Sequence, residues 1–406
     1  MKQKLLMLSA LIITALTISV YPLINKGQTS DPLAGNPVPV PPSSDEGFPI
    51  LPDNRSHQPV IQLAILLDTS GSMDGLIDQA RNQLWQVVNE FATSRKNGLT
   101  PRLEVAVYEY GNDGLPKTSG YIRQVTPLTT ELDQVSEALF SLTTNGGSEY
   151  CGFAINQAVI DLKWSQSSGD IRTIFIAGNE PFTQGPINYT HAIALARDIG
   201  ITVNTIHAGG YQDGATSGWR KAALLAGGDY MNIDHDHRIA HAIAPQDQRI
   251  GELNSALNNT YVPYGDTGIE KHHRQKLEDQ KSMEISEGLM AKRAISKTSS
   301  MYDNRSWDLV DAVENNAVQL DTLTPEVLPE EMQNLDTSER ISYIKNKAAE
   351  RQRIRHEITQ LSQERKRWVA DQQASEPDVN TIDEAIISAV RKQGHAKQYQ
   401  FEDVNP

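Results

Sequence analysis

The chain has 406 residues, 38% of them hydrophobic, and a formal net charge of −14. Its length calls for two or three units. The acidic balance excludes nucleic acid as the main partner, because phosphate binding needs a basic surface. The single cysteine, Cys151, excludes an intrachain disulfide framework and a cysteine-based zinc site.

Lys2 and Lys4 precede an apolar run from Leu5 to Ile24. Residues 1–24 therefore read as a signal peptide or membrane anchor. With the lysines inside, the body of the protein is expected outside the cytoplasm. No convincing small-residue cleavage site and no lipoprotein cysteine follow. The expected location is thus periplasmic, anchored to the inner membrane by this segment. Residues 25–57, with "NPVPVPPSSDEG" at their centre, read as a Pro/Ser-rich linker that supplies reach.

From Val60 the pattern alternates between strands and helices. "VIQLAILL" is a continuous apolar strand of the kind buried on both faces. Leu76, Ile77, Ala80, Leu84, Val87, Val88 and Phe91 recur at helical spacing. "LEVAVYEY" is a second strand and "GYIRQVTPL" a shorter one at an edge. Helices follow at Leu132–Leu142 and Phe153–Trp164. Then come the strand "RTIFIAG", the helix "THAIALARDIG", the strand "ITVNTIHAGG", the helix "SGWRKAALLAGG" and the strand "DYMNI". This order predicts an α/β fold over residues 58–236, a doubly wound, mostly parallel sheet with helices on both faces. A mainly α-helical C-terminal region is expected after it: a mixed, helical extension over 237–335 and a charged helical region over 336–406.

Within that last region, residues 340–370 hold nine Lys or Arg against three Glu, a net of +6 that leaves −20 for the rest. The helix carries an apolar stripe, but Arg351 and Arg365 fall on seam positions, which argues against a clean coiled coil. Two readings stay open. The helix docks within its own chain, or it serves an acidic protein or anionic lipid heads.

The chemistry concentrates in "ILLDTSGSMDG", Ile65 to Gly75. Ligands of an open α/β sheet bind at the carboxyl ends of the strands, where the strand order reverses. Asp68, Ser70 and Ser72 would converge there in one tight loop. Oxygen-only donors suit a hard divalent cation such as Mg²⁺, or Mn²⁺ or Ca²⁺. Few protein charges leave such an ion electrophilic, able to take a carboxylate from another molecule.

Here the sequence resembles a von Willebrand factor A (vWA) domain with its metal-ion-dependent adhesion site, over roughly Val60 to Asp236. The resemblance implies that Asp68, Ser70 and Ser72 build the site. It places Ser148, in "TNGGSEYCGFAINQA", where the family has a threonine. The third loop of the family reads T-D-G, whereas this chain has Ala177-Gly178-Asn179 followed by Glu180. The family aspartate falls on Gly178 and is missing. Glu180 or Asn179 is then expected to reach in, with Glu149 or Asp213 at the rim. Restoring a carboxylate at 178 should tighten binding, unless the backbone there has diverged. The segments "NTYVPYG", "WDLVDA" and "AAERQ" resemble the C-terminal parts of exported bacterial proteins that carry such a domain.

The implied function is a metal-dependent protein-binding module at the bacterial cell envelope, adhesive or scaffolding, with a partner carboxylate completing the ion's shell. It is not expected to be an enzyme. A structural scaffold with a degenerate site is the alternative, and a hydrolase pairing Ser70 with His207 a weaker one. "DHDHRIAH", Asp234 to His241, reads as a polar loop rather than a metal site. Cys151 reads as buried and inert.

Overall fold

The structure is a computed structural model that describes residues 58–71, 73–233, 243–374 and 382–401. The apolar run Leu5–Ile24, the linker, Ser72 and the histidine-rich segment lie outside the described residues. Among the described ones, no helix is long and apolar enough to cross a membrane.

Strand β1 (Val60–Asp68) alternates its side chains between two cores. Ile61, Leu63 and Leu67 face one and Ala64 and Leu66 the other. After helix α1 (Asp74–Ala92) come the short β2 (Ser94–Arg95), then β3 (Arg102–Tyr110) and β4 (Ile122–Thr129). The chain continues through α2 (Leu132–Ser141), α3 (Cys151–Asp161), β5 (Ile171–Gly178), α4 (Tyr189–Asp198) and β6 (Thr202–Ala208). Then follow α5 (Tyr211–Thr216), α6 (Trp219–Leu225) and β7 (Gly227–Ile233). The sheet order is β4-β3-β1-β5-β6-β7, with only β4 antiparallel. The doubly wound expectation is met. "GYIRQVTPL" is indeed an edge strand, and Gly227, at φ +69° just after the Ala226 C-cap, closes the helix and opens β7 together with Gly228.

The two faces are covered differently. Helices α3, α4 and α6 cover one as a single layer. The other carries α1, α2 and, from far along the chain, α13 (Ile382–Ala396). Onto α1 and α2 packs an outer layer: α7 (Asp247–Asn258), α8 (Gly268–Ile285), α9 (Glu287–Ser296) and the long α12 (Thr337–Ala374). Its apolar residues, among them Leu253, Met290, Ile354 and Ile358, join the same core as Leu63 and Val107. From Ser56 on, the chain packs as one compact unit. A smaller cluster beneath α10 (Leu309–Glu314) and α11 (Glu330–Gln333) joins Val262, Val310, Met332 and Ile344.

Buried charges lock the helical block to the sheet layer. Arg293 on α9 is fully buried and donates to Asp279 of α8 at 2.6 Å and to Asp133 of α2 at 2.7 Å. Its guanidinium stacks over Trp85 of α1 at 4.7 Å. Asp279 also accepts from Lys297, Asn254 and Asn258, and the Tyr302 hydroxyl donates to Asp133. Burial alone would push the Asp279 carboxyl up, but the Lys297 and Arg293 charges beside it win and hold it well below the usual carboxylate range.

The two seam arginines of α12 work in the same way. Ile344, Arg351, Ile354, Ile358 and Arg365 are all buried on one stripe. Arg351 reaches Asp308 at 2.6 Å and Asp311 at 2.7 Å, and Arg365 reaches Asp247 at 2.6 Å. The stripe is filled by α7, α9 and α10 of the same chain.

Helix α13 completes the sheet. Ile386, Ala389 and Val390 enter the core, Lys392 pairs with Asp229 of β7 at 2.6 Å, and Gln393 donates to Asn204 of β6. The last strand, β8 (Gln400–Phe401), pairs antiparallel with β2, and the Tyr399 hydroxyl donates to Val60 O.

Two outcomes follow. Asp279→Asn should cost about 3–5 kcal/mol, since it leaves buried cations underpaired. A carboxyl whose folded pKa is depressed contributes stability above its unfolded pKa of about 4, and that contribution is lost as pH falls below it. Urea titrations from pH 7 to pH 2 should therefore show the native chain losing stability below about pH 4 more steeply than Asp279→Asn. Second, a chain ending at Gln372 lacks the cover supplied by Ile386 and Val390. It should bind an apolar dye and lose its sharp melting transition.

Candidate functional site

Parallel register brings the ends of four strands to one edge. Asp68 is opposite Tyr110 of β3, Leu67 is opposite Ala177 of β5, and Gly178 is opposite His207 of β6. The chain leaves β1 for β3 on one side and returns to β5 on the other, so Asp68 stands at the reversal of strand order, where ligands of such sheets bind.

Asp68 is fully buried. Its Oδ1 accepts the Ser70 backbone amide at 2.8 Å, while its Oδ2 has no hydrogen-bond partner. Ser70 is buried too, and its Oγ makes no well-formed hydrogen bond. That hydroxyl nevertheless lies near enough to the Asp68 and Glu149 carboxyls to favour their ionised forms. Buried polar atoms are nearly always paired, so two orphaned oxygens in one loop mark a place built for something else.

The loop is pinned by its neighbours. Thr69 N donates to Tyr110 O at 2.8 Å, Asn145 N to Thr69 O at 3.0 Å, and Glu149 N to Gln184 Oε1 at 2.7 Å. Gly111, at φ +81°, lets the loops close on one another: a methyl there would lie 2.8 Å from both Asp68 Oδ1 and Glu149 Cγ.

Glu149 thus lies beside Asp68, and Glu180 is close enough to act on both. Burial, then the Asp68 and Glu180 charges, push the Glu149 carboxyl up to about 8. Burial, with a smaller push from Glu180, raises Asp68 to about 6. The half-buried Ser148 lines a pocket together with Lys117, Tyr150 and Gln184. Sequence reasoning placed Glu149 at the rim only. The structure buries its carboxyl within reach of the Asp68 charge and the Ser70 hydroxyl.

Position 178 has no room for the family carboxylate. A methyl on Gly178 would lie 2.6 Å from the Tyr110 hydroxyl and 2.9 Å from Asp68 Oδ2. Tyr110 is fully buried and donates to Ala177 O at 2.9 Å, so its ring holds the space a side chain would need. Sequence reasoning missed it; the available signal was an aromatic hydroxyl closing the strand next to β1. Cys151, buried 3.7 Å from that hydroxyl, has its thiol pushed far up by burial.

His207 Nε2 lies 3.2 Å from Asn179 O, and Ser70 Oγ has no hydrogen-bond partner, so the pair that would favour a serine hydrolase is not formed. Asp213 is an exposed residue of α5. Among the described residues, no three His, Cys, Asp or Glu side chains come together as a metal cage. Any ion here must lean on hydroxyls.

Residues 62–219 match the model of the von Willebrand factor type A domain, so the chain carries a domain of that family over this stretch. Similar solved structures include the conserved hypothetical protein BatB of Bacteroides thetaiotaomicron, at 16% identity, 43% of this chain, 90% of that one and a TM-score of 0.33. A von Willebrand factor type A protein of Catenulispora acidiphila matches at 19% identity, 43% and 39% coverage, and a TM-score of 0.32. Proximal thread matrix protein 1 of the mussel byssus, with a zinc-occupied MIDAS motif, matches at 14% identity, 44% and 43% coverage, and a TM-score of 0.35. No curated protein matches the sequence.

Gly178→Asp is now expected to lower the melting temperature, since overpacking a full core costs about 1–3 kcal/mol. It should not tighten binding of any ion. In a Tyr110→Ala background, which empties the space at its own cost, Gly178→Asp should lower the melting temperature less than it does in the native chain.

Proposed function

We propose that this chain is a metal-dependent protein-binding module, and that the oxygens at the end of β1 hold a divalent cation whose open position accepts a partner's carboxylate. The observation that carries this reading is the pair of orphaned, buried oxygens, Asp68 Oδ2 and Ser70 Oγ, beside the Glu149 carboxyl. Hard oxygen donors of this kind fit Mg²⁺, Mn²⁺ or Ca²⁺. Asp68 and Ser70 would hold the ion, with Glu149 as a further carboxylate and Glu180 and Ser148 at the rim; Ser72 follows in the same loop.

A bound cation would supply a Lewis-acidic position for an incoming carboxylate. The rest is done by the chain itself. Gly111 and Tyr110 exclude water from Asp68, and the Ser70 amide fixes the orientation of its carboxyl. Burial first, and then the neighbouring acid charges, push the Asp68 and Glu149 carboxyls up, in a cleft short of positive charge. A cation relieves that repulsion, and a partner carboxylate becomes acceptable only once it does. The N-terminal segment would tether this module to the membrane on the periplasmic side, with the linker giving it reach.

Mg²⁺ or Mn²⁺ should raise the melting temperature in a concentration-dependent way, by about 2.7 kcal/mol of stability at a hundredfold excess over Kd. Asp68→Ala should abolish the effect, and Ser70→Ala should weaken it. Equal ion-induced shifts in native chain and Asp68→Ala would reject the assignment.

A further inference from the structure

We infer that the pocket beside the metal loops is a second subsite, which takes a second acidic side chain of the same partner segment, with Lys117 as its counter-ion. This rests on the metal-dependent reading above and narrows the partner to a segment carrying two nearby carboxylates.

The pocket, about 520 Å³, is large enough for a whole side chain. It shares a wall with the cleft. Ser148 lines the pocket while the next residue, Glu149, faces Asp68; Gln184 lines the pocket while its Oε1 holds the Glu149 amide at 2.7 Å. Its apolar side is Tyr150 and Phe153. Tyr150 is held by an edge-to-face contact with Tyr121 at 5.7 Å and packs flat against Gly185, whose φ is +96°. A methyl on Gly185 would lie 2.6 Å from the Tyr150 ring.

Charge decides the occupant. Lys117 is the one charged residue lining the pocket, and among the described residues its ammonium makes no ion pair. An exposed cation with no ion partner, on a chain of net charge −14, can answer an outside anion. Ser148, Thr118 and Gln184 add polar groups for the same carboxylate. A partner with a single acid would fill only the ion's open position.

The test uses the full chain with Mg²⁺ and two sets of capped synthetic peptides. One set carries a single Asp in a Gly/Ser background, the other two Asp residues separated by one to three residues. The readout is the affinity ratio of the best two-acid peptide to the one-acid peptide, measured by fluorescence polarisation. An exposed charge pair changes affinity by up to about fivefold. The ratio should be about that size in the native chain, fall to about one in Lys117→Gln and fall below one in Lys117→Glu. A native ratio of one, or an unchanged ratio in both variants, overturns the subsite. Binding that ignores chelation in every case would instead reject the metal-dependent reading, and this inference with it. Direct Mn²⁺ titration of Lys117→Gln separates the two failures, because ion binding there should match the native chain.

Discussion

The architecture depends on a guanidinium that never meets water. Arg293 joins α9 to Asp133 of α2, Asp279 of α8 and the Trp85 ring of α1. Taking such a charge out of water costs several kcal/mol, which the two carboxylates and the Gln275 carbonyl offset through Nε and Nη2, while Nη1 makes no hydrogen bond. The network therefore tolerates one arrangement of five helices and rejects displaced ones. Through it the helical block and the vWA-type sheet share a core, and the outer helices pack on α1, which begins just after the Asp68–Ser70 loop.

The strand ends show the opposite arrangement. There, like charges are gathered and left unsatisfied: Asp68 and Glu149 are pushed up and Asp68 Oδ2 lacks a partner. A fold stabilised by paired charges elsewhere keeps a deficit of positive charge at one edge. Such local strain persists because the surrounding loops over-determine it, through Thr69 to Tyr110 and Glu149 to Gln184. The arrangement accounts for a binding role better than for a hydrolytic one, since His207 is turned to Asn179 O.

Much of this was legible in the sequence. Strand and helix periods gave the succession of elements and a mostly parallel sheet, and D-T-S-G-S marked the end of the first strand as the candidate site. The seam arginines of α12 were visible as an irregularity, but not as pegs for Asp308 and Asp247, because their partners lie about 40 and 118 residues away. The break between α8 and α9 had a readable signal: Ser286 caps α9 by accepting the Leu289 amide. Tyr110 escaped notice because its role depends on strand register, which no local pattern encodes.

The late arrival of α13 bears on how the molecule is made. Ile206 and Ile233 line one side of the core, and Ile386, which closes over them, follows more than 150 residues later. A sheet whose last cover is encoded so far downstream has a high contact order, and such topologies fold slowly. A growing chain presents an apolar sheet face until Ile386 and Val390 have appeared. During that interval it is prone to sticking and to capture by chaperones. A chain stopped before Ile386 would therefore keep that apolar face open and be prone to aggregation rather than yield a shorter working product.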